Sequence, residues 1–356
     1  MDRALADVSV ETTPYSWYVD PAVLAAERDR IFRRTWQYAG HTGDLDGPGS
    51  FFPTQAGGFP VIVALDNDGE LRGHLNICRH RGTILVDEPQ RRGTIQCPYH
   101  AWTYGLDGSL RGAPRSKDEP GFDKEELGLA PVSVDTWGPF VFVNPDPDAA
   151  PLADTLGDLP AVVAANGLDV DALRFHHRTS YSINANWKIA IENYLECYHC
   201  QLNHPDLMKV IDEESQRHEA SGLRLSQFPP VHPEALNGSA PYDISDGVPT
   251  AQYHILFPAM KFNVNPGRPN LSIGPMWPTA VDRTEAWFDY FFVDGVDETW
   301  IAQMLEFDNQ VGSEDTALVE AVQRGAGSGG LTHGRLLART EVLIGAFQQL
   351  VRDRLA

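Results

Sequence analysis

The chain has 356 residues, 42% of them hydrophobic and 22% charged, which provides for a core and excludes a disordered tail. Its 28 Lys and Arg against 49 Asp and Glu give a formal net charge of −21. That argues against nucleic-acid and anionic-membrane partners, because both need a basic face.

No run approaches the roughly 18 apolar residues of a membrane span. The start, MDRALADVSVETTPYSW, carries acids and lacks the apolar stretch of a signal peptide. Four cysteines are too few for a disulfide scaffold, so a reducing, cytoplasmic setting is expected, with cysteines as metal ligands or core residues.

Residues 1–44 read as a helical lead-in, with Pro21 at a first helical position and Val23, Leu24, Ile31 and Phe32 at helical spacing. Residues 45–147 carry short strands and turns. Val61 to Leu65 and Leu71 to Asn76 flank the turn Asp66-Asn67-Asp68-Gly69, and a second hairpin turns at Asp107-Gly108. Phe140 to Val143 is a buried-type strand, and Asn144-Pro145-Asp146-Pro147-Asp148 is a boundary. In 148–356 a helix is expected over about 186–201, then a loop-rich stretch over 210–250. Strand runs follow at 253–263, 271–277 and 285–293, and helices over about 298–324 and 335–355. Strands followed by helices predict an α+β fold.

Two constellations carry chemistry. The first is Cys78-x-His80, sixteen residues, then Cys97-x-x-His100. Zinc accepts two Cys and two His. A zinc finger, however, groups its cysteines in one pair and its histidines in another, whereas here each half has one of each. That split suits a Rieske [2Fe–2S] centre, in which one iron takes two Cys and the other two His.

The second constellation lies in Glu192-Asn193-Tyr194-Leu195-Glu196-Cys197-Tyr198-His199-Cys200-Gln201-Leu202-Asn203-His204-Pro205. Two His five residues apart lie about 140° apart on a straight helix. Pro205 pushes His204 out of the α region, so the helix is expected to end there and let His204 fold back beside His199. Two imidazoles plus one carboxylate would form the facial triad of a non-haem Fe(II) oxygenase, with open positions for O₂. The carboxylate must come from elsewhere. On a continuous helix over 301–322, Asp308 and Asp315 both fall within the apolar stripe, and Glu306, Glu314 and Glu320 fall outside it. A buried carboxylate needs a partner. Gly312-Ser313 would weaken that helix, and the pattern leaves Asp308 and Asp315 tied.

With both motifs in place, the chain resembles the Rieske non-haem iron oxygenase large subunit. Its N-Y-L-E-C-Y-H-C string is most similar to the branch acting on choline, glycine betaine and carnitine. The resemblance implies an all-β Rieske domain over 45–147 and a catalytic domain over 148–356, with a helix-grip-like antiparallel sheet flanked by helices. The 1–44 segment would pack on the catalytic domain. It implies Cys78, His80, Cys97 and His100 as cluster ligands and His199 and His204 as ligands of mononuclear Fe(II), and it favours Asp315 as the third. It further implies that Glu196 couples His199 to a Rieske His100 across the interface of an α₃ homotrimer, and that Asn193 orients the iron site. Tyr194 is the first candidate for holding a quaternary ammonium, which aromatic faces bind.

No flavin or nicotinamide motif is present, so electrons would come from a separate NAD(P)H-dependent reductase or ferredoxin. Gly325-Ala326-Gly327-Ser328-Gly329-Gly330 follows a helix rather than a strand and reads as a loop. Cys197 and Cys200 read as small core residues. The expected reaction is N-demethylation or hydroxylation of a quaternary ammonium compound with O₂. The alternatives are aromatic ring hydroxylation or O-demethylation of an aromatic acid, and, from another class, a Rieske-type electron carrier.

Overall fold

The structure, a computed structural model, describes residues 9–356, so the first eight residues of the expected lead-in lie outside the described residues. The chain folds as two compact units. One is Phe32–Leu152; the other takes the chain up to Ile31 together with Ala153–Ala356.

The Phe32–Leu152 unit is all-β. Its seven-stranded antiparallel sheet has the order Gln37–His41, Phe140–Asn144, Pro131–Trp137, Leu71–Leu75, Phe59–Leu65, Ser50–Ala56, Gln90–Arg91. A smaller sheet joins Thr94–Gln96, Thr103–Gly105 and Leu110–Gly112. Asp66 organises the first hairpin: its carboxylate accepts from the Asp68 and Glu70 N–H groups and from Arg72 Nε, and Gly69 takes φ 83°.

The unit begins at Phe32 and not at 45. Gln37–His41, expected within the helical lead-in, is an edge strand paired with Phe140–Asn144. Both strands are buried at every residue. A strand buried on both faces shows no alternation, so periodicity cannot distinguish it from a helix.

The other unit is α+β. Its seven-stranded antiparallel sheet has the order Leu173–Ile183, Arg283–Val293, Asn270–Ala280, Met260–Val264, Gln252–Leu256, Arg224–Phe228, Arg217–Ser221. Two of these strands fall in the stretch expected to be loop-rich. Arg224 is buried there because Asp158, 66 residues away, accepts from its guanidinium in a bidentate pair at 2.8 Å. A local pattern cannot show that partner.

Helix Glu298–Gly327 runs unbroken for 30 residues through Gly312-Ser313. The Thr316 hydroxyl donates to the Gly312 carbonyl at 2.9 Å, and Asp297 caps the start by accepting from the Thr299 and Trp300 N–H groups. Among the described residues no helix is long and apolar enough to cross a membrane.

Helix Trp187–Tyr194 starts at Asn186, whose side chain accepts from the Lys188 N–H. Its hidden face is ionic. Lys188 Nζ contacts Glu27 at 2.5 Å and donates to the Trp17 carbonyl, and Trp187 Nε1 donates to the other Glu27 oxygen at 2.8 Å. Glu192 accepts from the Tyr18 hydroxyl and from Gln348, and burial pushes its carboxyl up to about 7. Residues 17–27 are thereby tied to the helix that leads into the second constellation. Removing one member of a buried pair leaves the other charge uncompensated. Glu27→Gln should therefore lower unfolding free energy by about 3–5 kcal/mol in urea titration, and adding Lys188→Met should recover most of it.

Candidate active site

The first constellation lies in the Phe32–Leu152 unit, on two loops that follow strands Leu71–Leu75 and Thr94–Gln96. Each loop closes on its own cysteine. The Cys78 N–H donates to the Thr83 carbonyl and the Gly82 N–H to the Cys78 carbonyl; the Cys97 N–H donates to the Trp102 carbonyl and the Ala101 N–H to the Cys97 carbonyl. Both turns need a left-handed residue, Gly82 at φ 74° and Ala101 at φ 57°. Ala101 adopts a conformation that costs a residue with a Cβ, as is common where a site dictates the backbone.

Cys78 and Cys97 are free thiols buried in the apolar core of this unit, whereas His80 is exposed and His100 half-buried. The two imidazoles lie 4.6 Å apart, centroid to centroid, and Trp102 stacks on His80 at 4.9 Å. His100 Nδ1 is buried with no hydrogen-bond partner. The Tyr104 hydroxyl meets Cys78 Sγ at 3.3 Å and accepts from the Arg79 N–H. Thiolates inside, imidazoles outside and an orphaned ring nitrogen are what a [2Fe–2S] centre with two Cys and two His needs.

The second constellation departs from the expected single helix. The helix stops at Tyr194, whose carbonyl accepts from Gln227 Nε2, and a four-residue helix resumes at Cys200. The Glu196 carboxylate organises the gap by accepting from the Tyr198 N–H at 2.5 Å and the His199 N–H at 3.3 Å. His199 and His204 flank the short helix, and His204, before Pro205, has φ −123° and ψ 66°.

His199 Nε2 and His204 Nε2 are 3.1 Å apart, and Asp315 Oδ1 lies 3.2 Å from the first and 3.0 Å from the second. A six-coordinate ion with bonds of roughly 2.1 Å at right angles places its donors about 3.0 Å apart, so the triangle fits one face of such an ion. Asn193 Nδ2 donates to Asp315 Oδ1 at 2.8 Å. The opposite ring nitrogens are held by carboxylates, His199 Nδ1 by Glu196 and His204 Nδ1 by Glu314 at 2.7 Å. That leaves each Nε2 facing the other ring and Asp315, the side on which a metal would be held. Burial opposes charge on His199, but Asp315 and Glu196 outweigh it and push the imidazole up to about 9. The same imidazoles hold Asp315 below the usual carboxylate range against its own burial. The site draws positive charge.

The structure brings Asp315, and not Asp308, to the histidines. Asp308 lies two turns earlier and accepts from the Tyr290 hydroxyl at 2.6 Å. Glu314, outside the apolar stripe of the sequence pattern, still reaches the far side of the ring that Asp315 faces. Cys197 and Cys200 are buried as expected but joined by a disulfide, since the turn between helices brings their Cα atoms to 4.9 Å. Cys200 Sγ, 4.0 Å from His199 Nε2, is thereby removed from any ligand set.

A cavity of about 140 Å³ opens beside the triad. Its wall includes Tyr181, Tyr194, Tyr253, Phe288, Phe307, Asp308 and Lys261. Lys261 gave no signal in the sequence beyond one basic residue in a strand.

Residues 170–356 match the ring hydroxylating alpha subunit (catalytic domain) family, and residues 35–132 match the Rieske [2Fe-2S] domain. The chain therefore belongs to the Rieske-type ring-hydroxylating oxygenase family, as an α subunit. It is 30% identical to a chloroplastic choline monooxygenase of Beta vulgaris, covering 93% of this chain and 74% of that protein. It is 29% identical to the carnitine monooxygenase oxygenase subunit of Escherichia coli K12, covering 92% and 87%. The solved quaternary ammonium Rieske monooxygenase CntA superposes with a TM-score of 0.86 at 28% identity, over 98% of this chain and 96% of that one. The chain is thus an oxidoreductase with a Rieske [2Fe–2S] cluster and a mononuclear iron.

His199→Ala should lose the mononuclear iron and all turnover while keeping the red-brown cluster. Cys78→Ala should bleach the visible spectrum, since the thiolate is a core member and metal binding couples to folding. Iron content per chain and absorbance check both.

Proposed function

We propose that this chain is the oxygenase component of a two-component system that N-demethylates or hydroxylates a quaternary ammonium compound. Cys78, His80, Cys97 and His100 hold the cluster, and His199, His204 and Asp315 hold the iron. The iron, when bound, activates O₂ with electrons delivered through the cluster. Insertion consumes O₂, two electrons and two protons, turns one C–H into C–OH and releases water. On an N-methyl group the product is a hemiaminal, which collapses to formaldehyde and a tertiary amine.

The observation that carries this reading is the cavity at the triad. Aromatic faces attract an alkylammonium, and the Asp308 carboxyl, held above its usual range by desolvation, lies in the same wall where a cation would favour its charged form. The similarity to choline and carnitine monooxygenases supports it. The test is anaerobic EPR of the Fe(II)–nitric oxide adduct with choline, glycine betaine, carnitine, benzoate and vanillate. The signal should change with a methylated ammonium compound. A change with the aromatic acids alone would transfer the assignment to aromatic oxidation.

Electrons come from a separate NAD(P)H-dependent reductase or ferredoxin, and the chain works as an α₃ homotrimer in the cytoplasm. Glu196 passes electrons from His100 of the partner subunit to His199. Apolar rims support this route. Tyr198 and Leu202, 64% and 87% exposed, flank the His199 turn, and exposed Tyr99 and Ile84 lie on the cluster loops. The similarity to CntA supports it too, since inter-subunit electron transfer is described for that protein. Glu196→Gln should keep both metals yet slow single-turnover product formation at least tenfold, and an unchanged rate would remove Glu196 from the route.

A further inference from the structure

We propose that Lys261 anchors a carboxylate of the substrate, so that the compound oxidised here is a zwitterionic betaine and not a cation with a neutral tail. The inference rests on the quaternary-ammonium reading above and narrows its substrate class.

Lys261 sits on strand Met260–Val264 and lines the same cavity as His199, His204 and Asp315. Its ammonium lies 4.4 Å from the centroid of the Tyr194 ring and 5.2 Å from that of Phe288. Among the described residues it has no hydrogen bond and no carboxylate in ion-pair contact. The contrast is Lys188, the buried lysine whose Nζ meets Glu27 and the Trp17 carbonyl. Lys261 is only half-buried, on the cavity wall, and an ammonium drawn partly out of water without an acceptor is costly, a state structural lysines avoid. Lys261 faces space instead of a partner.

The acids of the cavity are otherwise committed, Glu196 to the Tyr198 N–H and His199 Nδ1. Asp315 takes the Asn193 amide and faces both imidazoles; Asp308 takes the Tyr290 hydroxyl. Both act on Lys261 only through space, against the burial that lowers its pKa.

Tyr194 is thereby reassigned. Its hydroxyl is tied to Asn263, and its face carries the chain's own cation. A second cation on that face would be repelled. The substrate ammonium is left the wall of Tyr181, Tyr253 and Phe307 around Asp308, and Lys261 is left an anion. One cation and one acid that do not pair with each other across a small cavity form a slot for a molecule carrying the opposite charges in the opposite order.

The test is equilibrium binding to the iron- and cluster-loaded protein, read anaerobically by the nitrosyl EPR signal. The probes are glycine betaine, γ-butyrobetaine, choline and glycine betaine methyl ester. The wild type should bind one of the betaines at least about tenfold more tightly than choline or the ester, the scale of a charge-assisted hydrogen bond. Lys261→Met should erase that gap by weakening the betaine and sparing choline. Equal binding of acid and ester by the wild type, or equal losses for betaine and choline in the variant, would overturn the role of Lys261 while leaving the quaternary-ammonium reading intact. Binding of benzoate or vanillate alone would defeat both. If Lys261→Met fails to hold its metals, the acid-against-ester comparison on the wild type decides.

Discussion

Three electron-rich atoms, two imidazole nitrogens and a carboxylate oxygen, are held within 3.2 Å of one another in the larger unit. Left to themselves, such donors would turn away or pick up protons. Here Glu196 and Glu314 grip the far nitrogens of the two rings, and Asn193 grips the carboxylate. Each ring is thereby fixed in tautomer and direction. The rest of the unit serves this convergence. The helix break at 195–199 sets the first ring, Pro205 sets the second, and the unbroken helix Glu298–Gly327 brings two adjacent acids to opposite nitrogens of one imidazole.

Such a constellation needs rigid support, and that support is itself ionic. The helix before the break is pinned by Glu27 and Lys188 on one side and by Tyr18, Glu192 and Gln348 on the other. A purely apolar interface could slide, whereas a buried ion pair with one partner on the lead-in helix holds a single register, at a cost in desolvation. The all-β unit solves its problem differently. Its thiols lie within the hydrophobic core, its imidazoles lie towards solvent, and each loop between them turns through a left-handed residue. A cluster held there would have its sulfur ligands on the dry side and its imidazole ligands on the wet one.

Lys261 and Asp308 give the cavity an electrostatic character of its own, separate from the metal triad. Aromatic walls alone would accept any alkylammonium or arene of suitable size. A half-buried ammonium without an acceptor changes the selection, because it favours ligands that bring their own anion.

Local signals carried much of this molecule. The Cys-x-His and Cys-x-x-His spacing and the His199–His204–Pro205 run fall within short segments, where residue type and spacing are sufficient. The α+β class followed from the order of strands and helices. Other features have causes distant in the chain. Gln37–His41 is a strand because Phe140–Asn144 lies beside it. Arg224 is buried because Asp158 accepts its guanidinium. Asp308 and Asp315 are equivalent on a helical wheel, and only the packing of that helix against the His199–His204 turn separates them. Glu314 and Lys261 look like surface charges in sequence, because a side chain's partner is set by whatever the fold places opposite it. The sequence by itself determined which chemical groups are present and the order in which they come. Tertiary structure alone decided which of them meet, because the distances that make a ligand triangle or a charge slot lie between residues that local pattern cannot connect.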